Sequence, residues 1–307
     1  MKYTGLNLTT KIVISVIAIL SFSSILLSTD FKLINKFFSL LLFLLPFLVY
    51  QIINWSDRFN TGQRDLYPWA FLMGFGILSN SALIINEIIN SLTGELTLIA
   101  IGAPLNEEIL KLLTVYIIIK FGYRGAYTKL GLIALGALVG TGFALTEDLY
   151  YTISSNEPFY MVAMRMIFAP FFHATTGAIY ALVLFKSKKR EYIFLALIFL
   201  ISFHMVWNIS ALINSSVSFI TLLSLLVTAV FISLFYFERE RYAGLLELSY
   251  LNELDLELFN ESNGGNLSEI EEIRNYKRYI ISIYEDNLAS KNSDKANELV
   301  EVTEPPL

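Results

Sequence analysis

Asn106-Glu107-Glu108-Ile109-Leu110-Lys111 sits near the middle of an apolar stretch, 97–120, that reads as one continuous helix. Three ionisable side chains there are out of place in hydrocarbon. Each costs at least ~2.5 kcal/mol at a helix centre and normally faces a cavity or a partner. The stretch therefore reads as one wall of a polar site inside a bundle of membrane helices. The rest of the chain should then supply the other walls.

The chain has 307 residues, 55% of them hydrophobic and only 16% charged, with a mean hydropathy of +0.59. Soluble domains carry roughly 25% charged residues. The apolar residues also come in blocks of the length a helix needs to cross ~30 Å of hydrocarbon. Eight such blocks can be drawn, at 12–28, 34–54, 67–91, 97–120, 130–152, 160–185, 192–213 and 217–237. The expected fold is an all-α, polytopic transmembrane helix bundle. The first block has the Lys2 and Lys11 flank of a secretory signal but no small-residue cleavage site after it, so it reads as a retained anchor.

Loop charge gives the expected orientation, since Lys and Arg stay on the cytoplasmic side. Lys2 and Lys11, Arg58 and Arg64, the group Lys120, Arg124 and Lys129, the run Lys186 to Arg190, and Arg239 with Arg241 all fall on one side of the bilayer. The opposite loops hold only Lys32 and Lys36. Both termini are thus expected in the cytoplasm of a multi-pass cell-membrane protein. The domain reading is a transmembrane unit, 1–237, with its motifs in 97–213, and an acidic cytoplasmic tail, 238–307. The tail holds 16 of the 27 acidic residues and 7 of the 22 basic ones, a net charge of −9. Gly264-Gly265 splits it into two helical pieces, and 291–307 reads as disordered. No basic face is present to hold nucleic acid. No cysteine is present either, which removes thiolate nucleophiles, disulfides and zinc-thiolate sites.

The other walls do appear. The fifth block carries Phe143-Ala144-Leu145-Thr146-Glu147-Asp148, the sixth Arg165, Pro170 and His173, and the seventh His204-Met205-Val206-Trp207-Asn208. His173 and His204 are the only histidines of the chain. Glu107 and Lys111 are four apart and share a helix face, Glu108 and Lys111 nearly do, and so do His204 and Asn208. At 1.5 Å per residue, Glu107 lies ~15 Å, Glu147 ~8 Å, His173 ~20 Å and His204 ~14 Å below the outer surface. Four helices thus place polar groups in one slab, from the membrane centre to its outer half. Two chemistries fit these residue types. In one, His173, His204 and Glu147 bind Zn2+ and another Glu is the general base. In the other no metal takes part: a Glu activates water, and His204 with Asn208 stabilises the oxyanion.

These residues resemble a known family. Glu107-Glu108-x-x-Lys111 matches the EExxK motif of PrsW-type proteases. Phe143-x-x-x-Glu147 is similar to the second motif, where relatives in the CAAX prenyl-protease group carry FxxxH. His173, preceded by Arg165 and Pro170, resembles the third, and His204-x-x-x-Asn208 resembles HxxxN. The four come in order on successive helices. The resemblance implies an intramembrane endopeptidase of the type II CAAX prenyl protease (CPBP) superfamily, metallo- or glutamic-type. It implies a membrane-anchored protein as substrate, of the anti-sigma-factor type, cut on the extracytoplasmic side within the lipid bilayer. On it, Glu107 and Glu108 are the catalytic carboxylates, Glu147, His173 and His204 complete the site, Asn208 orients or stabilises, and Lys111 and Arg165 support.

Each feature has a plainer reading. The glutamates could form a structural ion pair with Lys111, the histidines helix–helix hydrogen bonds, and Arg165 a snorkelling contact. Asp148 reads as interfacial. Asn80, Asn86 and Glu87 read as packing or interfacial groups, with a substrate path as their other role. Gly136-x-x-x-Gly140 and Gly142 read as a packing strip. The rival functions are an ion- or proton-coupled transporter, a non-catalytic scaffold of the same fold, and a prenyl-protein endopeptidase. The first lacks the repeated motifs expected of many transporters, the second lacks a lost motif residue, and the third lacks His at position 147.

Overall fold

The computed structural model describes residues 6, 8–27, 33–56, 66–122, 129–156, 158–186, 190–212 and 217–248. Among them the secondary structure is helical, with no strand. The helices are α1 (Leu8–Leu27), α2 (Leu33–Ser39) running through a 3-10 turn into α3 (Leu44–Ser56), α4 (Tyr67–Leu72), α5 (Ser79–Thr93), α6 (Glu95–Thr97), α7 (Ala103–Ile117), α8 (Lys129–Ser154), α9 (Pro158–Lys186), α10 (Arg190–Leu212) and α11 (Val217–Leu248). Wider π-helical turns at Met73–Leu78, Leu98–Gly102 and Ile118–Gly122 join α4 to α5, α6 to α7, and extend α7. The chain divides into two compact units, Met1–Arg239 and Glu240–Leu307. The first holds all four motifs. Of the second, the described part is helical, 240–248; the rest of the expected acidic tail lies outside the described residues.

Among the described residues, four helical runs are long and apolar enough to cross a membrane: Leu33–Ser56, Tyr67–Thr93, Lys129–Ser154 and Arg190–Ser210. Leu8–Ser24, Ala169–Phe185 and Leu223–Glu238 are shorter apolar helices. The expected span at 97–120 is not in either group, because Glu107, Glu108 and Lys111 fall in its middle. The result is a helical membrane bundle with an apolar exterior: Leu20, Phe47, Phe194, Phe199, Leu225 and Phe237 are all exposed.

α8 is the central post. Its run Leu130–Leu145 is apolar but for Thr141, and the helix is buried nearly end to end, as expected of a helix whose apolar residues go all round. Its small residues set the spacing. A Cβ at Gly140 would collide with the His173 carbonyl, and Gly136 and Gly177 press on each other's carbonyls. On another side Gly142 meets the Phe71 carbonyl and Gly74 meets that of Val139. The packing strip expected of Gly136, Gly140 and Gly142 is thus observed. It brings α9 and the Met73–Leu78 turn to backbone contact with α8.

The π-helical turns leave carbonyls without ordinary helical partners, and in a lipid-facing bundle these must be satisfied by side chains. Ser79 Oγ donates to Gly74 O at 2.9 Å, Thr146 Oγ1 to Phe75 O at 2.8 Å and Asn80 Nδ2 to Gly76 O at 2.6 Å. Asn80 also reaches Ser21 Oγ, so it is a packing residue. The C-terminal end of α8 is capped from α2: Asn35 Nδ2 donates to Ile153 O and Ser155 O at 2.8 and 2.7 Å. At the other end Lys129 pairs with Glu238 on α11.

Candidate active site

Successive residues on a helix point about 100° apart, so Glu107 and Glu108 cannot share an environment. Glu107 turns toward α5. Its Oε1 accepts from Asn86 Nδ2 at 3.2 Å; Asn86 Oδ1 accepts from Asn106 Nδ2 at 2.9 Å; and Asn106 also reaches Ala82 O at 3.2 Å. Glu108 turns into the bundle and is fully buried. Its Oε1 lies 2.5 Å from Lys111 Nζ and 3.0 Å from His204 Nδ1. Lys111 therefore pairs with Glu108, three residues back, rather than with Glu107, four back. The amide chain through Asn86 and Asn106 draws Glu107 away.

Lys111 is itself fully buried and each of its three N–H groups has an acceptor: Glu108, Thr176 Oγ1 at 3.0 Å and His173 Nδ1 at 3.3 Å. An ammonium has no acceptor capacity. His173 Nδ1 must then carry the lone pair, and its Nε2–H faces Glu147 Oε2 at 3.0 Å. The same reasoning fixes His204. A carboxylate only accepts, so Nδ1–H donates to Glu108, and Nε2 faces Glu107 Oε2, 3.8 Å away. One buried chain thus runs Glu147, His173, Lys111, Glu108, His204, Glu107. Phe172 packs against both imidazoles, with ring centroids 5.1 Å from His173 and 4.9 Å from His204, which themselves meet edge to face at 5.5 Å. Phe143 closes the other side of His173 at 5.0 Å. These rings lower the local dielectric and strengthen the polar contacts they enclose.

Both ends of the chain reach the same cavity. A hollow of about 300 Å³ is lined by Glu107, Glu147, Phe143, Asn86, Asn208 and Tyr150, among others. Glu108, Lys111, His173 and His204 stand behind its wall. Asn208, one turn beyond His204 on α10, donates from Nδ2 to Ile99 O at 3.0 Å. That carbonyl belongs to the Leu98–Gly102 π-helical turn. The second amide N–H of Asn208 is left to serve the cavity.

The expected residues from α7, α8, α9 and α10 are therefore brought together. Arg165 lies on α9, with its side chain outside the described residues. Asp148, expected at the interface, is instead buried in the bundle at 1% exposure. It sits one position on from Glu147, and α8 is enclosed on that side too. Asn86, read mainly as a packing group, holds Glu107. Thr176, which supports Lys111, carried no sequence signal beyond being a polar residue one turn past His173.

A catalytic metal ion needs at least three convergent donors with free lone pairs. Among the described residues no group of three or more His, Asp and Glu converges in that way. In the expected set His173, His204 and Glu147, the His173 lone pair is turned to the Lys111 ammonium, away from Glu147. As arranged, the set does not fit a metal.

Compared with known proteins, the chain matches the sequence model of one family, described as PrsW family intramembrane metalloprotease, over residues 62–236. That is more than half of the chain and includes all four motifs. No curated protein matches it. No solved structure matches it either.

Proposed function

The chain belongs to the PrsW family, a family of intramembrane proteases, and from that premise we propose that it hydrolyses a peptide bond by glutamic-type chemistry with Glu107 as general base. The observation that carries this is the 3.8 Å gap between Glu107 Oε2 and His204 Nε2. Two acceptors at that spacing can both receive from one water, whose two hydrogens diverge. The water attacks the scissile carbonyl and gives one proton to Glu107. The oxyanion that forms is stabilised by the free amide N–H of Asn208. Glu107 then returns the proton to the departing amine, leaving one new carboxylate and one new amino terminus. Glu108 is the orienting carboxylate: it fixes the His204 tautomer, as a buried carboxylate does in a hydrolytic triad. Glu147, the second carboxylate on the cavity wall, faces the substrate backbone.

The substrate class that fits is a membrane-anchored protein, of which an anti-sigma-factor type is one, admitted as an extended segment. The arrangement of charged loops supports eight crossings with both termini cytoplasmic and the cavity in the outer half of the bilayer.

Purified protein in liposomes, given single-span membrane proteins and read by mass spectrometry for new termini, tests the reading. Wild type is expected to cut and Glu107→Gln to cut at least about a hundredfold more slowly. Activity is expected to survive exhaustive chelation. Loss on chelation with recovery on added Zn2+ overturns the metal-free chemistry and leaves the protease. Equal silence of wild type and variant on a broad substrate set overturns the protease.

A further inference from the structure

Tyr180 is a large polar side chain beside this network that the chemistry above leaves unused. It lies on α9, four residues past Thr176 and seven past His173, so the three form one stripe facing α7. It is fully buried. Its hydroxyl has no hydrogen-bond partner at ordinary distance, and the same is true of Glu108 Oε2, also fully buried. The phenol lies against Glu108. Two neighbouring buried atoms, one a donor that rotates freely and one an acceptor with lone pairs to spare, have each other as the available solution.

We propose that Tyr180 is a positioning residue, its hydroxyl donating to Glu108 Oε2 and so holding His204 in the tautomer that turns the Nε2 lone pair to the cavity. With Lys111 and His204 on Oε1 and Tyr180 on Oε2, the Glu108 carboxylate cannot turn about its terminal bond. Without the hydroxyl it can, and His204 Nδ1–H loses a fixed acceptor. The seat for the water between His204 and Glu107 is then lost. That consequence rests on the protease reading; the hydrogen bond itself does not.

The chain has two histidines, so ¹⁵N-histidine labelling gives a spectrum of two rings, assigned with the single variant His173→Gln. In wild type the His204 ring is expected to show a protonated Nδ1 and a bare Nε2. In Tyr180→Phe its signals should move toward a mixture of tautomers, while those of His173 stay. Where cleavage is measured, kcat should fall roughly tenfold or more with KM unchanged. 4-Aminophenylalanine at position 180, which keeps a donor, should restore both readouts. 4-Methylphenylalanine, of similar size, should not, and this pair carries the comparison if the Phe variant fails to fold. Unchanged His204 signals in a folded donor-less variant overturn the proposal. His204 signals that respond in a protein that cleaves nothing uphold the hydrogen bond and sink the protease reading instead.

Discussion

Glu107 and Glu108 are neighbours in sequence and opposites in structure. One lies on the cavity wall, held by an amide from Asn86 and faced by a histidine nitrogen beyond hydrogen-bond reach. The other is sealed in the bundle with a lysine and a histidine on a single oxygen. The first is placed to meet water and substrate, the second to hold other side chains still. A paired-carboxylate motif on a helix is therefore better understood as two machines, one reactive and one structural, set 100° apart.

The contrast is broken most severely at Glu107. Glu107→Gln should lower the cleavage rate by about 10²–10⁴-fold, while the thermal melt in detergent stays close to that of wild type. A melt that drops as far as the rate would mean that Glu107 is structural as well. Glu108→Ala should lose both. It strands the Lys111 ammonium in the interior, and breaking a buried ion pair in this way costs about 3–5 kcal/mol. Replacing the pair together, with Glu108→Met and Lys111→Met, should recover the melt but not the activity, and calorimetry beside a cleavage assay separates the two. Asn208→Ala is the mildest break. Loss of one oxyanion donor is expected to cost kcat about 10²–10³-fold with little change in KM. A change confined to KM would make Asn208 a substrate-binding group.

The helical class, the polar residues that meet and the glycine strip were legible in the sequence, because each depends on local composition and on the 3.6-residue period. Charges amid apolar residues on four helices pointed to α7, α8, α9 and α10, and those helices do bring them together. Other features were set by neighbours that spacing cannot reveal. Glu107 and Glu108 are both within reach of Lys111 on a helix, and the choice fell to Glu108 because Asn86, twenty-one residues upstream of Glu107, competes for the other carboxylate. Asp148 reads as an interfacial residue from its depth alone, yet the packing around α8 encloses it. The π-helical turns follow from backbone contacts such as Gly74 against Val139, not from any pattern within 73–78.

The glycine seam between α8 and α9 also dictates how the molecule can move. Glu147 rides on one of these helices and His173 on the other, and their backbones touch at Gly140 with no side chain between them. Such a joint can neither slide nor part without losing its fit, so the two helices behave mechanically as a single rigid plate. The chain interrupts its helices at Gly94, with φ of 86° and open space around it, and its near neighbours Asn90 and Glu95 stand on the rim of the cavity. The plate holds Glu147 and His173 at a fixed spacing, and the break in the helical wall lies at the α5–α6 corner.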